Sequence, residues 1–259
     1  MKANWLVAGM LGGVVACSSG YSQFYSDYSQ GNKSIAPATS APKVANVSGT
    51  PKEVIYTMFT NGYTLVGESS FNAPSEDTSQ ALTQAKKVGA EYVVLRSNYT
   101  NTVSGSIPIT TQQNVTSRTN GTATAYGTGG MATGTYSGTT TTTVPVTTYT
   151  PYSVRRYDQS ALYFAPMKEP CLGVLPEELS DDEKIMLGTN KGLRVAAVRK
   201  GSPAYDADIL PNDYILTVNQ QPVIDTTPAP KTGQKMELGI VRGRNRISVQ
   251  FIGGPGCTE

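Results

Sequence analysis

Hydrophobic positions along this chain change period several times, and each change marks an element. Within 51–59, Val54, Ile55, Met58 and Phe59 recur at three- and four-residue spacing. That spacing predicts a helix with Pro51 in its first turn and Asn61-Gly62 as its stop. Residues 63–71 read as a strand. A second helix is predicted over 75–88, with Ser75 as its cap and Ala81, Leu82, Ala85 and Val88 as its buried stripe. Acidic residues open this helix, and Lys86 and Lys87 close it before Gly89. Strands follow at 91–99, where Val93, Val94 and Leu95 are contiguous enough for a central position, and at 160–164. The expected unit is a small two-layer α/β domain within 51–167.

Between about 100 and 150 the pattern changes to Thr, Ser, Gly and Tyr, with no acidic residue and the single Arg118. Such a stretch reads either as disordered low-complexity sequence or as a long two-stranded β-ribbon. One detail favours the ribbon. Ile107-Pro108-Ile109-Thr110-Thr111 is mirrored by Val144-Pro145-Val146-Thr147-Thr148. The midpoint falls near Tyr126-Gly127, beside Gly127, Gly129 and Gly130, so a hairpin there would set the two proline motifs opposite each other. The rims of an isolated ribbon invite pairing with another chain. The arm is therefore expected to be an assembly element, and a homo-oligomer is one possible outcome.

The amino terminus carries Lys2, an apolar run over 5–15 and then Val14-Val15-Ala16-Cys17-Ser18. This resembles the bacterial lipoprotein signal. The resemblance implies a signal peptide over 1–16, lipidation of Cys17 and attachment to a membrane by several acyl chains. Ser18 after the cysteine resembles the pattern that directs lipoproteins to the outer membrane, with the folded parts in the periplasm. Residues 17–50 are poor in aliphatic side chains and are expected to form a flexible tether. Tyr21, Phe24, Tyr25 and Tyr28 are spaced like one helix face. They read as scattered aromatics of that tether, or as a docking stripe for a partner.

At the other end, Gly201-Ser202-Pro203-Ala204 predicts a capped short helix, Pro211-Asn212-Asp213 a turn, and 214–218 a buried strand ending near Asn219. These residues resemble the PDZ domain of periplasmic HtrA-type proteases. Asp208, Asn212 and Gln220 stand where that family has glycine. The resemblance implies a PDZ-like β-barrel or sandwich over 168–259. It also implies a carboxylate-binding loop at Cys171, Leu172, Gly173 and Val174, with β-augmentation of a peptide on the strand that follows. From the family's strand order it implies that Cys257 lies beside Cys171, giving a disulfide in an oxidising compartment. The family's groove has a helix as its second wall. Here 223–233 holds Pro228 and Pro230 and leaves room for about one turn. Two uses stay open: binding of peptide C-termini, or a structural docking domain.

The chain has no histidine. That excludes Ser-His-Asp and Cys-His catalysis and most zinc sites, so the resembling module comes without the protease. Glu68, Glu76, Asp77 and Glu91 form no acid pair and read as surface or capping residues. Arg242, Arg244 and Arg246 fit a hairpin better than a nucleic-acid surface, in keeping with a net charge of +2. No catalytic residue, metal or cofactor is expected. The fold class is α+β: a small α/β domain with a long Thr/Gly-rich β-hairpin arm, then the PDZ-like domain. The expected function is a lipid-anchored, non-catalytic accessory component of a cell-envelope assembly. The alternative is a periplasmic adaptor for C-terminal peptides of envelope proteins.

Overall fold

The computed structural model describes residues 18–223 and 231–257. Residues up to Tyr99 and from Tyr157 onward form one compact unit, and Thr100–Arg156 forms the other.

The first sheet is ordered β1 (Tyr25–Asp27), β3 (Tyr63–Ala73), β5 (Gly130–Pro166), β4 (Tyr92–Gly127), β2 (Lys43–Val44). Its two central strands are the ones that continue into the arm. Alternate residues of β5 serve opposite faces. Ala161, Tyr163 and Ala165 pack with α3 (Thr78–Lys87) and α1 (Gly20–Gln23), while Leu162 and Phe164 pack with α2 (Pro51–Thr60). Helices therefore cover both faces, which is why these strands read as continuous apolar runs. Thr50 and Glu53 form a reciprocal capping box at the start of α2. The cap of α3 is Asp77 rather than Ser75, so that helix starts three residues later than its composition suggests.

Residues 18–50 depart from the expected tether. Tyr21 is buried and meets the Phe71 ring edge-on at 5.0 Å, Phe24 stacks on the same ring, and Tyr25 meets Tyr163. The aromatics thus supply the apolar area that the missing aliphatics do not. The Tyr25 ring lies over Gly67, where a Cβ would come within 2.4 Å of it. Burial, with Asp27 adding to it, pushes the Tyr25 hydroxyl up to about 12. Glu91 is buried, not superficial, and ties down the same segment. It accepts from the Thr39 and Ser40 amides and from the Thr39 hydroxyl. Burial alone would raise its carboxyl, but these donors outweigh it and hold it below the usual carboxylate range.

The second sheet is ordered β11 (Asn245–Ile252), β10 (Lys235–Arg242), β8 (Tyr214–Val218), β7 (Leu193–Val198), β6 (Val174–Glu178), with β9 (Gln221–Pro222) paired to β8. Its core is Leu172, Val195, Ile209, Ile215, Leu238 and Ile240 with their neighbours. Among the described residues, the non-glycine residues with positive φ are Asp208, Asn212, Asn219 and Gln220, at 47° to 70°. Three of them are the positions where the resemblance expects glycine. The left-handed conformation is therefore kept although its usual residue is not.

Arg242 is more than a hairpin residue. Its Nε and Nη2 each donate at 2.8 Å to the two carboxylate oxygens of Asp213, which is 1% exposed. The Asp213 carboxylate also accepts from the Leu210 amide, and Arg242 reaches the Asp208 carbonyl. This fork holds the loop between α5 (Pro203–Asp206) and β8 against β10.

Two outcomes follow. Arg242→Ala leaves Asp213 buried without its counter-charge and should cost roughly 3 kcal/mol in denaturant unfolding, whereas Arg244→Ala should be near neutral. The Glu91 carboxyl is depressed in the fold, so its contribution is present above the ordinary glutamate range and is lost as pH falls through the lowered value. Protection factors of the Lys43 and Ala45 amides, which pair with β4 and its flank, should drop at acid pH before those of β3. Glu91→Gln should show the same loss at neutral pH.

Candidate functional site

The candidate site is the loop that opens the second sheet. Pro170 and Cys171 lead into Leu172, whose side chain is buried in the core. Gly173 then turns with φ +89°, and Val174 begins β6. A Cβ on Gly173 would sit 2.3 Å from the Ser202 side chain, so both the backbone conformation and the space demand glycine. Ser202 caps α5, accepting from the Tyr205 amide. The Leu172 carbonyl accepts from the Ala204 amide at 2.9 Å, and the Gly173 carbonyl from the Arg199 amide at 2.9 Å. The loop is thus bolted through its carbonyls to the Gly201–Ala204 turn and to Arg199 at the end of β7. Among the described residues, the Leu172 and Gly173 amides donate to no acceptor.

From the other side the carboxy-terminal segment clamps the loop. Cys171 and Cys257 are disulfide-bonded, with Cα atoms 4.3 Å apart. The Gly254 amide donates to the Cys171 carbonyl at 2.8 Å. Residues 253–257 thus lie against the start of the loop, in the strand order that the resemblance implied.

β6 ends the sheet, and among the described residues no strand pairs with its outer edge. Its face is occupied by the first domain. The Glu177 carboxylate accepts from Tyr56 of α2 and pairs with Lys52 and Arg194. Burial would raise the Glu177 carboxyl, but Tyr56, Lys52 and Arg194 together hold it low. The Lys200 amide donates to the Thr60 carbonyl at 3.0 Å, joining the end of α2 to the turn after β7. These contacts fix the position of β6 and leave its edge open. Pro176 sits beside a β-bulge between Leu175 and Pro176, as an edge strand permits. α4 (Asp181–Leu187), opened by a reciprocal capping box of Ser180 and Glu183, follows β6.

Cys17 and the segment 224–230, where the second wall of a groove would stand, lie outside the described residues. Among the described residues no group of three or more His, Cys, Asp and Glu side chains is placed to hold a metal ion.

The family model PDZ_6, for the PDZ domain, matches residues 194–230. The second sheet is a PDZ domain. Among solved structures, the HtrA-type protease AlgW with a decapeptide is similar over 36% of this chain at 23% identity and a TM-score of 0.29. The same protease with a tripeptide is similar at 23% identity and a TM-score of 0.27. The likeness covers 36% and 39% of those chains, so this chain spans well under half of their length. A search of curated proteins finds no match.

The sequence pattern placed the short α5 helix and its Ser202 cap. It did not foresee the Tyr56–Glu177–Arg194 contact, because Tyr56 and Glu177 are 121 residues apart and leave no local period. The clamp predicts that reducing the Cys171–Cys257 bond will destabilise the PDZ domain. On the loop-entropy model the loss is up to roughly 4–5 kcal/mol, read from unfolding curves with and without reductant. Gly173→Ala should also lower stability, through the Ser202 clash.

Proposed function

We propose that this protein is a lipid-anchored, non-catalytic component of a cell-envelope assembly, making protein contacts through its PDZ domain and its β arm. The observation that carries this reading is three β edges without a strand partner among the described residues: one at β6, beside a disulfide-clamped loop, and one along each rim of the arm. All three are surfaces that accept another chain by backbone hydrogen bonds. The absence of histidine from the sequence supports the non-catalytic part. The lipobox ending at Cys17 supports the anchor and an outer-membrane, periplasm-facing location.

A second reading is favoured by one specific observation. The Leu172 and Gly173 amides, which donate to no acceptor among the described residues, stand beside the β6 edge and suit the terminal carboxylate of a peptide, so the PDZ domain would act as an adaptor for C-termini of envelope proteins. Hydrogen bonds from two unpaired amides to a carboxylate are charge-assisted and need no side chain from this protein.

The experiment is gentle detergent extraction of the full chain from its own membranes, with native mass and identification of what travels with it. A particle of fixed composition larger than the chain is expected, and Cys17→Ser should move the protein to the soluble fraction. A lone monomer would sink the assembly reading. Saturable binding of free-carboxylate peptides to that monomer, lost on C-terminal amidation, would then support the adaptor.

A further inference from the structure

In the arm, Thr110 faces Thr147, Thr116 faces Thr141 and Thr124 faces Thr133, each within side-chain hydrogen-bond reach. Ser104 and Ser153 keep the same register, and the chain reverses at Thr128-Gly129. This corrects the expected pairing. Pro108 stands level with Tyr149 and Pro145 with Gln112, so the proline motifs are offset rather than opposite, because the turn lies past Tyr126-Gly127.

The register has a second consequence. Side chains alternate between faces, so over 104–118 one face of β4 carries Ser104, Ser106, Thr110, Asn114, Thr116 and Arg118. The other carries Val103, Ile107, Ile109 and Val115 of β4 with Val144 and Val146 of β5, interspersed with Thr111, Gln113, Thr148 and Thr150. The ring of Tyr152 lies over Gly105 on that same apolar face. Val103, Ile107, Ile109 and Val115 are 39% to 54% exposed, and no charged residue shares their face between 101 and 154. The apolar band over 103–115 is roughly 40 Å long at strand rise, which projects to about 30 Å at a tilt near 40°, the thickness of a bilayer's hydrocarbon core. Soluble edge strands are usually blunted with charges, Lys above all. Between 100 and 154 these rims have only Arg118. Between 103 and 154 both rims are without a strand partner among the described residues, since β3 pairing ends at Tyr157 and β2 pairing at Val93.

We infer that copies of this chain pair arm to arm, edge against edge, into a membrane-spanning β-barrel whose face bearing Val103, Ile107, Ile109 and Val115 meets lipid and whose face bearing Ser104, Thr110, Asn114 and Arg118 lines the interior. The inference rests on the reading that the arm is a contact element, and not on the PDZ domain. The β4 rim and the β5 rim differ, so pairing of one with the other is heterologous and closes into a ring. Closure removes the edges, and a ring turns every apolar face to the same side. Thr, Ser, Asn and Gln suit a hydrated interior, and the dyad alternation is the pattern of a membrane strand. Pro108, Pro145 and Pro151 supply no N–H, so the longest donor runs along the seam are 109–127 and 130–144.

The test uses the full chain with its only tryptophan removed by Trp5→Phe. Single tryptophans are placed by Val103→Trp, Ile107→Trp, Ile109→Trp and Val115→Trp, and on the other face by Ser104→Trp, Ser106→Trp, Thr110→Trp and Asn114→Trp. Each protein is reconstituted in vesicles of phosphatidylethanolamine and phosphatidylglycerol with brominated acyl chains. The first set should lose more than about half of its fluorescence to the bromines and the second set little, giving a period of two. Cross-linking in the same vesicles should give a closed ladder of copies. No alternation, or no quenching at any position, overturns the inference. Alternating quenching of a single copy overturns the ring. A multimer in water whose apolar positions are shielded but unquenched by the vesicles shows ribbons packed face to face, and also overturns it. If the multimer of the extraction experiment persists without quenching, the assembly reading survives and the barrel falls.

Discussion

The antiparallel pairing of β4 with β5 is the constraint on which the rest depends. These two strands are the centre of the first sheet, where helices cover both faces, and they supply all of the arm. In the core they carry Val93, Val94 and 161–165, buried on either side. Beyond Tyr99 and before Tyr157 the same pairing continues without layers of its own. A ribbon of this length would be marginal in isolation, and here its strands begin as the best-packed pair of a folded sheet. Cross-strand threonine pairs and tyrosines laid over glycines then stabilise the ribbon locally.

The second theme is the joining of neighbours through backbone and charge. α2 is capped by Thr50 and Glu53 and offers Lys52 and Tyr56 to Glu177, so one short helix both covers the first sheet and positions β6 of the second. In the PDZ domain the same logic recurs: Arg242 holds the loop before β8 through a buried carboxylate, and Cys171–Cys257 holds the loop before β6 to the segment that follows the last strand. The loop's carbonyls are used inward, and among the described residues the Leu172 and Gly173 amides donate to no acceptor.

Much of this was legible in the residues. The strand at 214–218, the Ser202 cap and the cysteine pair follow from turn chemistry and from the PDZ resemblance. The arm's ribbon followed from its mirrored Pro motifs, but its register did not, since the motifs are offset by the position of the turn. The amino-terminal segment was misread because composition counts aliphatics, while Tyr21, Phe24 and Tyr25 bury rings. Glu91 looked like a surface acid because its three donors come from Thr39 and Ser40, about fifty residues away in sequence. The placement of helices on both faces of the sheet is a tertiary fact that no local period states.

The central claim is that the arm is a pairing element, with rims completed by other chains. Amide exchange across 100–156, measured in protein extracted with its native partners and again in the dissociated chain, tests it most directly. In a lone ribbon only alternate amides, those pointing across the hairpin, are protected. The account predicts that in the assembly both alternate sets become protected, prolines aside. Uniformly fast exchange over the arm in the native assembly, or protection of one alternate set alone, would contradict it.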